Sequence, residues 1–115
     1  MIIGVAGPYS APNIEQRQLN LDAMNKVAAR LLEMGHIPLI GVNAALPVLA
    51  KAHVYDVYKG IMDISLAVIS NCDALLMIGD SPGANRERDL ILSKGKPVFR
   101  TLDELNEYVS TKVSY

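Results

Sequence analysis

A chain of 115 residues, 50% apolar and 20% charged with a net charge of −1, holds one core and is read as one domain over 1–115. Balanced charge excludes a broad field for a nucleic acid polymer or an anionic membrane, and one Phe with no Trp leaves no stacking surface for a single strand. Cys72 has no second cysteine to pair with, charges at Asp63 and Asp73 interrupt the richest apolar run, and no charged leader precedes Ile2-Ile3-Gly4-Val5, so a cytoplasmic protein is expected.

Met1–Gly7 reads as a buried strand closed by Gly-Pro. Asn13 or Pro12 then opens a long helix. Ile14, Leu21, Met24, Val27, Ala28, Leu31 and Met34 recur at helical spacing, and Gly35 stops it. Ile37–Val42 is the second expected strand, and Asn43–Lys51 a short helix interrupted by Pro47. Asp56–Asn71 is a second main helix with Val57, Ile61, Ile64 and Val68 on one stripe, followed by a third strand, Ala74–Ile78. Ser81, as N-cap, starts a third main helix at Pro82 or Gly83; it runs through Ser93, and Gly95 ends it. Pro97–Arg100 is the fourth strand, and Leu102–Val109 a last helix with Thr101 as N-cap and Glu104 at its third position.

Strands alternating with helices predict an α/β fold, a three-layer open parallel sheet with helices on both faces. Right-handed crossovers give the order 2-1-3-4. The connections then diverge between strands 1 and 3, and ligands bind in the crevice at the carboxyl ends there. Two Gly-rich turns enter it, Gly7-Pro8-Tyr9-Ser10 and Gly79–Glu87.

The second turn leads into a helix, where backbone N–H groups favour an anion. Ser81 Oγ with the amides of Gly83 and Ala84 can hold a phosphate, and the same residues also make an ordinary cap. Glu87 shares a helical face with Ala84 and Ile91, leaning towards the sheet, and lacks a basic partner four residues on. An inward carboxylate costs solvation unless it has a task, which marks Glu87 as the catalytic candidate against a solvated helix carboxylate. Tyr9 closes over a base or sugar, or caps the core. Asn13 caps its helix or reaches a phosphate. Arg86 is either a site residue or surface charge. Asp63 and Ser65 lie on the helix before strand 3, where one of them can face the site. No metal-ligand spacing surrounds His36 or His53, and no cofactor is expected.

The chain resembles the nucleoside 2-deoxyribosyltransferase-like superfamily, in a small bacterial and phage branch of it. The resemblance rests on Val5-Ala6-Gly7-Pro8-Tyr9-Ser10 with Asn13-Ile14, and on Leu32-Glu33-Met34-Gly35-His36-Ile37-Pro38. Asn71-Cys72-Asp73-Ala74-Leu75, then Ser81, Gly83, Ala84 and Glu87, and last Gly95-Lys96-Pro97-Val98 complete it. It implies a flavodoxin-like sheet and homodimers or higher homo-oligomers that share active sites. It also implies cleavage of the N-glycosidic bond of a (deoxy)nucleoside 5′-monophosphate, by hydrolysis or transfer. By the same resemblance Glu87 is the nucleophile and Ser81 binds the phosphate. The aspartate that protonates the leaving base is replaced by Ser65; Asp63 lies about 200° away around the helix. Ile3 and Gly4 stand where an orienting tyrosine is implied, and Asp89 and Ile91 where small residues are. A second reading follows from these departures: a non-catalytic module that binds a nucleotide or sugar phosphate. A relative of the cytokinin-activating phosphoribohydrolases fits less well, because the loop lacks their extra Gly-Thr.

Overall fold

Period-two burial defines the centre of the molecule. In β1 (Ile2–Ala6) and β3 (Ala74–Met77), Ile3, Val5, Ala74 and Leu76 face one way, and Ala6, Leu75 and Met77 the other. The computed structural model describes residues 1–112. Its four-stranded sheet is all parallel, in the order β2-β1-β3-β4, with β2 at Ile37–Leu39 and β4 at Val98–Phe99. Both central strands are covered on both faces, which is why they read as unbroken apolar runs.

One face carries α1 (Ile14–Glu33) and α5 (Leu102–Lys112), whose Met24, Leu31 and Leu105 pack on Ile3, Val5, Leu76 and Phe99. The other carries α3 (Val57–Ser70) and α4 (Pro82–Ser93), whose Ile69, Ala84 and Ile91 pack on Ala6, Leu75 and Met77. Burying each Leu or Ile here contributes about 1.5–3 kcal/mol. Side chains end the helices as the sequence suggests. Asn13 Oδ1 accepts from Gln16 N at 2.8 Å, Ser81 Oγ from Ala84 N at 3.0 Å, and Thr101 Oγ1 from Glu104 N at 3.1 Å. Asp73 ties the amino ends of β1 and β3 together, its carboxylate accepting from Ile2 N at 2.7 Å.

Several boundaries differ from expectation, and one matters. The second strand ends at Leu39, and α2 (Gly41–Leu49) begins directly after it. Pro47 sits inside α2 without breaking it, and Ala50 N still donates to Leu46 O at 3.0 Å. Instead of lying on a sheet face, α2 packs chiefly on α3. A Cβ on Gly41 would lie 2.7 Å from Ser65 Cβ, and one on Gly60 2.7 Å from Leu49 Cδ1. Contacts pairing 41 with 65 and 49 with 60 make α2 and α3 an antiparallel hairpin. The buried stripe of α3 is accordingly Met62, Ser65 and Ile69, one residue round from the expected Ile61, Ile64 and Val68. No helix among the described residues is long and apolar enough to cross a membrane.

Candidate active site

The two turns meet. Ile78 N donates to Ala6 O at 2.8 Å as β1 and β3 end side by side. Beyond them Gly79 lets the chains close up, since a Cβ there would lie 2.9 Å from Pro8 Cδ. Above this junction lies a cleft of about 440 Å³, lined by Gly7, Tyr9 and Ser10 from the first turn and by Ser81–Ala84 and Glu87 from the second. The hairpin closes the remaining side with Val42, Tyr58, Ile61 and Met62.

Glu87 sits one turn into α4, between Ala84 and Ile91 on the buried face, and is 6% exposed. Its Oε2 is buried without a hydrogen-bond partner. Loss of water pushes the carboxyl up to about 8, so burial favours its protonated form near neutral pH. Positive charge brought beside it favours its ionised form. Such environments mark sites of chemistry more often than sites of packing. The solvated-carboxylate alternative does not describe this residue.

At the start of α4, Ser81 Oγ is already engaged with Ala84 N–H. Pro82 has no N–H, so Gly83 supplies the backbone donor that the first turn offers an anion. Expected donation from both Gly83 and Ala84 thus reduces to one free amide. Tyr9 is half-buried, and its carbonyl accepts from Asn20 Nδ2 at 3.0 Å, which pins the first turn to α1. Pro8 supports the turn from behind and does not line the cleft.

The accessory candidates lie elsewhere. Asn13 caps α1. Arg86 is exposed on α4, away from the lining, while Arg88 pairs with Asp89 at 3.0 Å and lies 4.0 Å from Asp80. Asp63 is exposed and paired with Lys59 at 2.7 Å. Ser65 is fully buried against Gly41, with its Oγ unpartnered and outside the lining. Gly4 lies beneath Ile69, whose Cδ1 would be 2.5 Å from a Cβ there. Cys72 is buried, and desolvation pushes its thiol up to about 11, which leaves it inert. Among the described residues no cluster of His, Cys, Asp and Glu could hold a metal ion.

Sequence reasoning missed Val42, Tyr58, Ile61 and Met62 as cleft residues. The signal available was Tyr58 on the first turn of a helix that must start at the carboxyl rim of the sheet.

The family described as "Domain of unknown function (DUF1937)" matches residues 1–102. The chain belongs to this family. All residues that line the cleft fall inside the segment matched by the DUF1937 domain. No curated protein matches the chain.

Proposed function

We propose that this DUF1937 domain cleaves the N-glycosidic bond of a (deoxy)nucleoside 5′-monophosphate, with Glu87 as nucleophile. The observation that carries the reading is a buried, unpartnered carboxyl in an apolar-walled cleft beside the start of a helix. Tyr9, Tyr58, Ile61 and Met62 supply apolar and aromatic wall for a nucleobase, and Gly83 N–H beside Ser81 is the donor this reading assigns to the 5′-phosphate. Glu87 gives its proton to solvent, and an oxygen attacks C1′ as the C1′–N bond breaks; the bonding pair passes to the base, which takes up a proton from water. Water or a second base then resolves the adduct with net retention, giving hydrolysis or transfer. Cation character at C1′ in the transition state favours ionised Glu87 at the moment it is needed. No bound cofactor enters these steps.

Release of free base from a panel of deoxynucleotides, by wild type and Glu87→Gln, tests the assignment. Release by wild type alone is expected, and equal release by both would refute it. The second reading, a module that binds without turnover, is favoured by Glu87 being the single carboxyl among the described lining residues. Calorimetry on the same two proteins separates them, because tight binding by both with no product from either selects the module. Apolar side chains exposed at and just before the start of α3, Val54, Tyr55 and Val57, support a homodimer or higher homo-oligomer, which light scattering would detect. The lone, unpaired Cys72 supports a cytoplasmic location.

A further inference from the structure

Among the described lining residues the cleft holds one carboxyl, placed to attack C1′, and no second carboxyl to protonate a leaving base. Glycosidases of neutral leaving groups use two carboxyls, one for each task. Here Glu87 is the single carboxyl among the described lining residues, with Asp63 turned outward into an ion pair with Lys59 and Ser65 sealed against Gly41. The lining also contains no Lys, Arg or His among the described residues, while it does contain the rings of Tyr9 and Tyr58. A buried carboxyl in a cleft that two tyrosines also line, with no cationic side chain among the described lining residues, is complementary to a ligand that carries positive charge.

We infer that the substrates of this site are N-glycosides of a cationic base, such as a pyridinium or N7-alkylpurinium nucleotide, whose base departs without being protonated. The inference rests on the glycosidic reading of Glu87. In the reaction a Glu87 oxygen forms a bond to C1′ while the C1′–N bond breaks. The bonding pair passes to the ring nitrogen, cancels its positive charge and releases a neutral base, so no acid is required. Water then attacks C1′, the ester bond to Glu87 breaks, and the proton from water passes to solvent. The same charge on the ground-state ligand favours ionised Glu87 on binding, so the ligand itself prepares the nucleophile.

The test compares nicotinamide ribose and deoxyribose 5′-monophosphates with the deoxynucleotides of the four ordinary neutral bases, each rate divided by its uncatalysed rate in buffer. Neutral bases should lag by roughly 10²-fold or more, the least that a missing general acid costs. Cleavage of the pyridinium compounds should also disappear in Glu87→Gln, with melting confirming that the variant is folded. Equal acceleration of neutral and cationic bases, still dependent on Glu87, overturns this inference and leaves the glycosidic reading standing. Cleavage of neither overturns both. Binding gives an independent readout: the 1-methylnicotinamide cation should bind wild type at least about tenfold more tightly than neutral nicotinamide, a preference expected from roughly 1.4 kcal/mol of charge complementarity. Equal binding of the two would also overturn the inference.

Discussion

Glu87 on α4 and Asp63 on α3 stand on neighbouring helices, and their environments are opposite. Asp63 is exposed and answered by Lys59 four residues earlier on its own helix. Glu87 lies on the face that packs on the sheet, its Oε2 has no partner, and its carboxyl is pushed up to about 8 by burial. Chemical type is nearly the same, so placement on the helical wheel decides the difference. An outward carboxylate finds solvent and a lysine. An inward one at the open rim of the sheet loses water, and its protonated form is favoured.

Substitutions at the two positions should therefore separate widely. The largest effect is expected on turnover, where Glu87→Gln should lower kcat/KM by roughly 10³ or more for any accepted substrate. The wild-type value should rise with pH through about 8, because the free protein must lose the Glu87 proton before attack. A flat profile between pH 6 and 9 would contradict the assigned state.

Stability should move in the other direction. The folded-state pKa of Glu87 is raised, so the protonated group's favourable contribution is complete below its unfolded pKa and is lost as pH rises towards the folded value. Wild type should lose stability relative to Glu87→Gln between about pH 4.5 and pH 8, by an amount on the order of 4 kcal/mol at the upper end. Urea unfolding of both proteins at a series of pH values measures the gap; a pH-independent gap would mean that the carboxyl is solvated.

Ser81→Ala should have a smaller effect, removing the cap on Ala84 N–H and costing about 1 kcal/mol. Its expected kinetic signature is a higher KM for nucleotides than for the matching nucleosides, since the lost hydroxyl belongs to the proposed phosphate site. Asp63→Asn is the weakest variant, expected to change stability by less than about 0.5 kcal/mol and to leave turnover within about twofold. A large kinetic loss at Asp63 would collapse the contrast between the two carboxylates.

The order of strands, the caps at Asn13, Ser81 and Thr101, and the inward face of α4 were all legible, because each depends on local spacing or on a short-range hydrogen bond. The wall opposite Glu87 was not. Periodicity placed an apolar stripe on α3 but misread its centre by one residue, since Ser65 is polar and yet fully buried. What buries it is Gly41, twenty-four residues earlier, and a contact between two small residues leaves no mark in either helix alone. That contact belongs to the packing of α2 on α3, and from this pair Val42, Tyr58, Ile61 and Met62 line the cleft. Pro47 misled for a related reason. In a short helix packed along one side, a missing N–H near the carboxyl end disturbs only one bond.

Turnover quenched in acid, followed by peptide mapping with mass spectrometry, addresses the attacking role of Glu87 most directly. A slow substrate with an electron-withdrawing 2′-fluorine would let the intermediate accumulate. The account predicts one added sugar phosphate, bound as an ester on the fragment that contains Glu87 and absent in Glu87→Gln. Complete turnover with no adduct at any time, or an adduct on another residue, would contradict it.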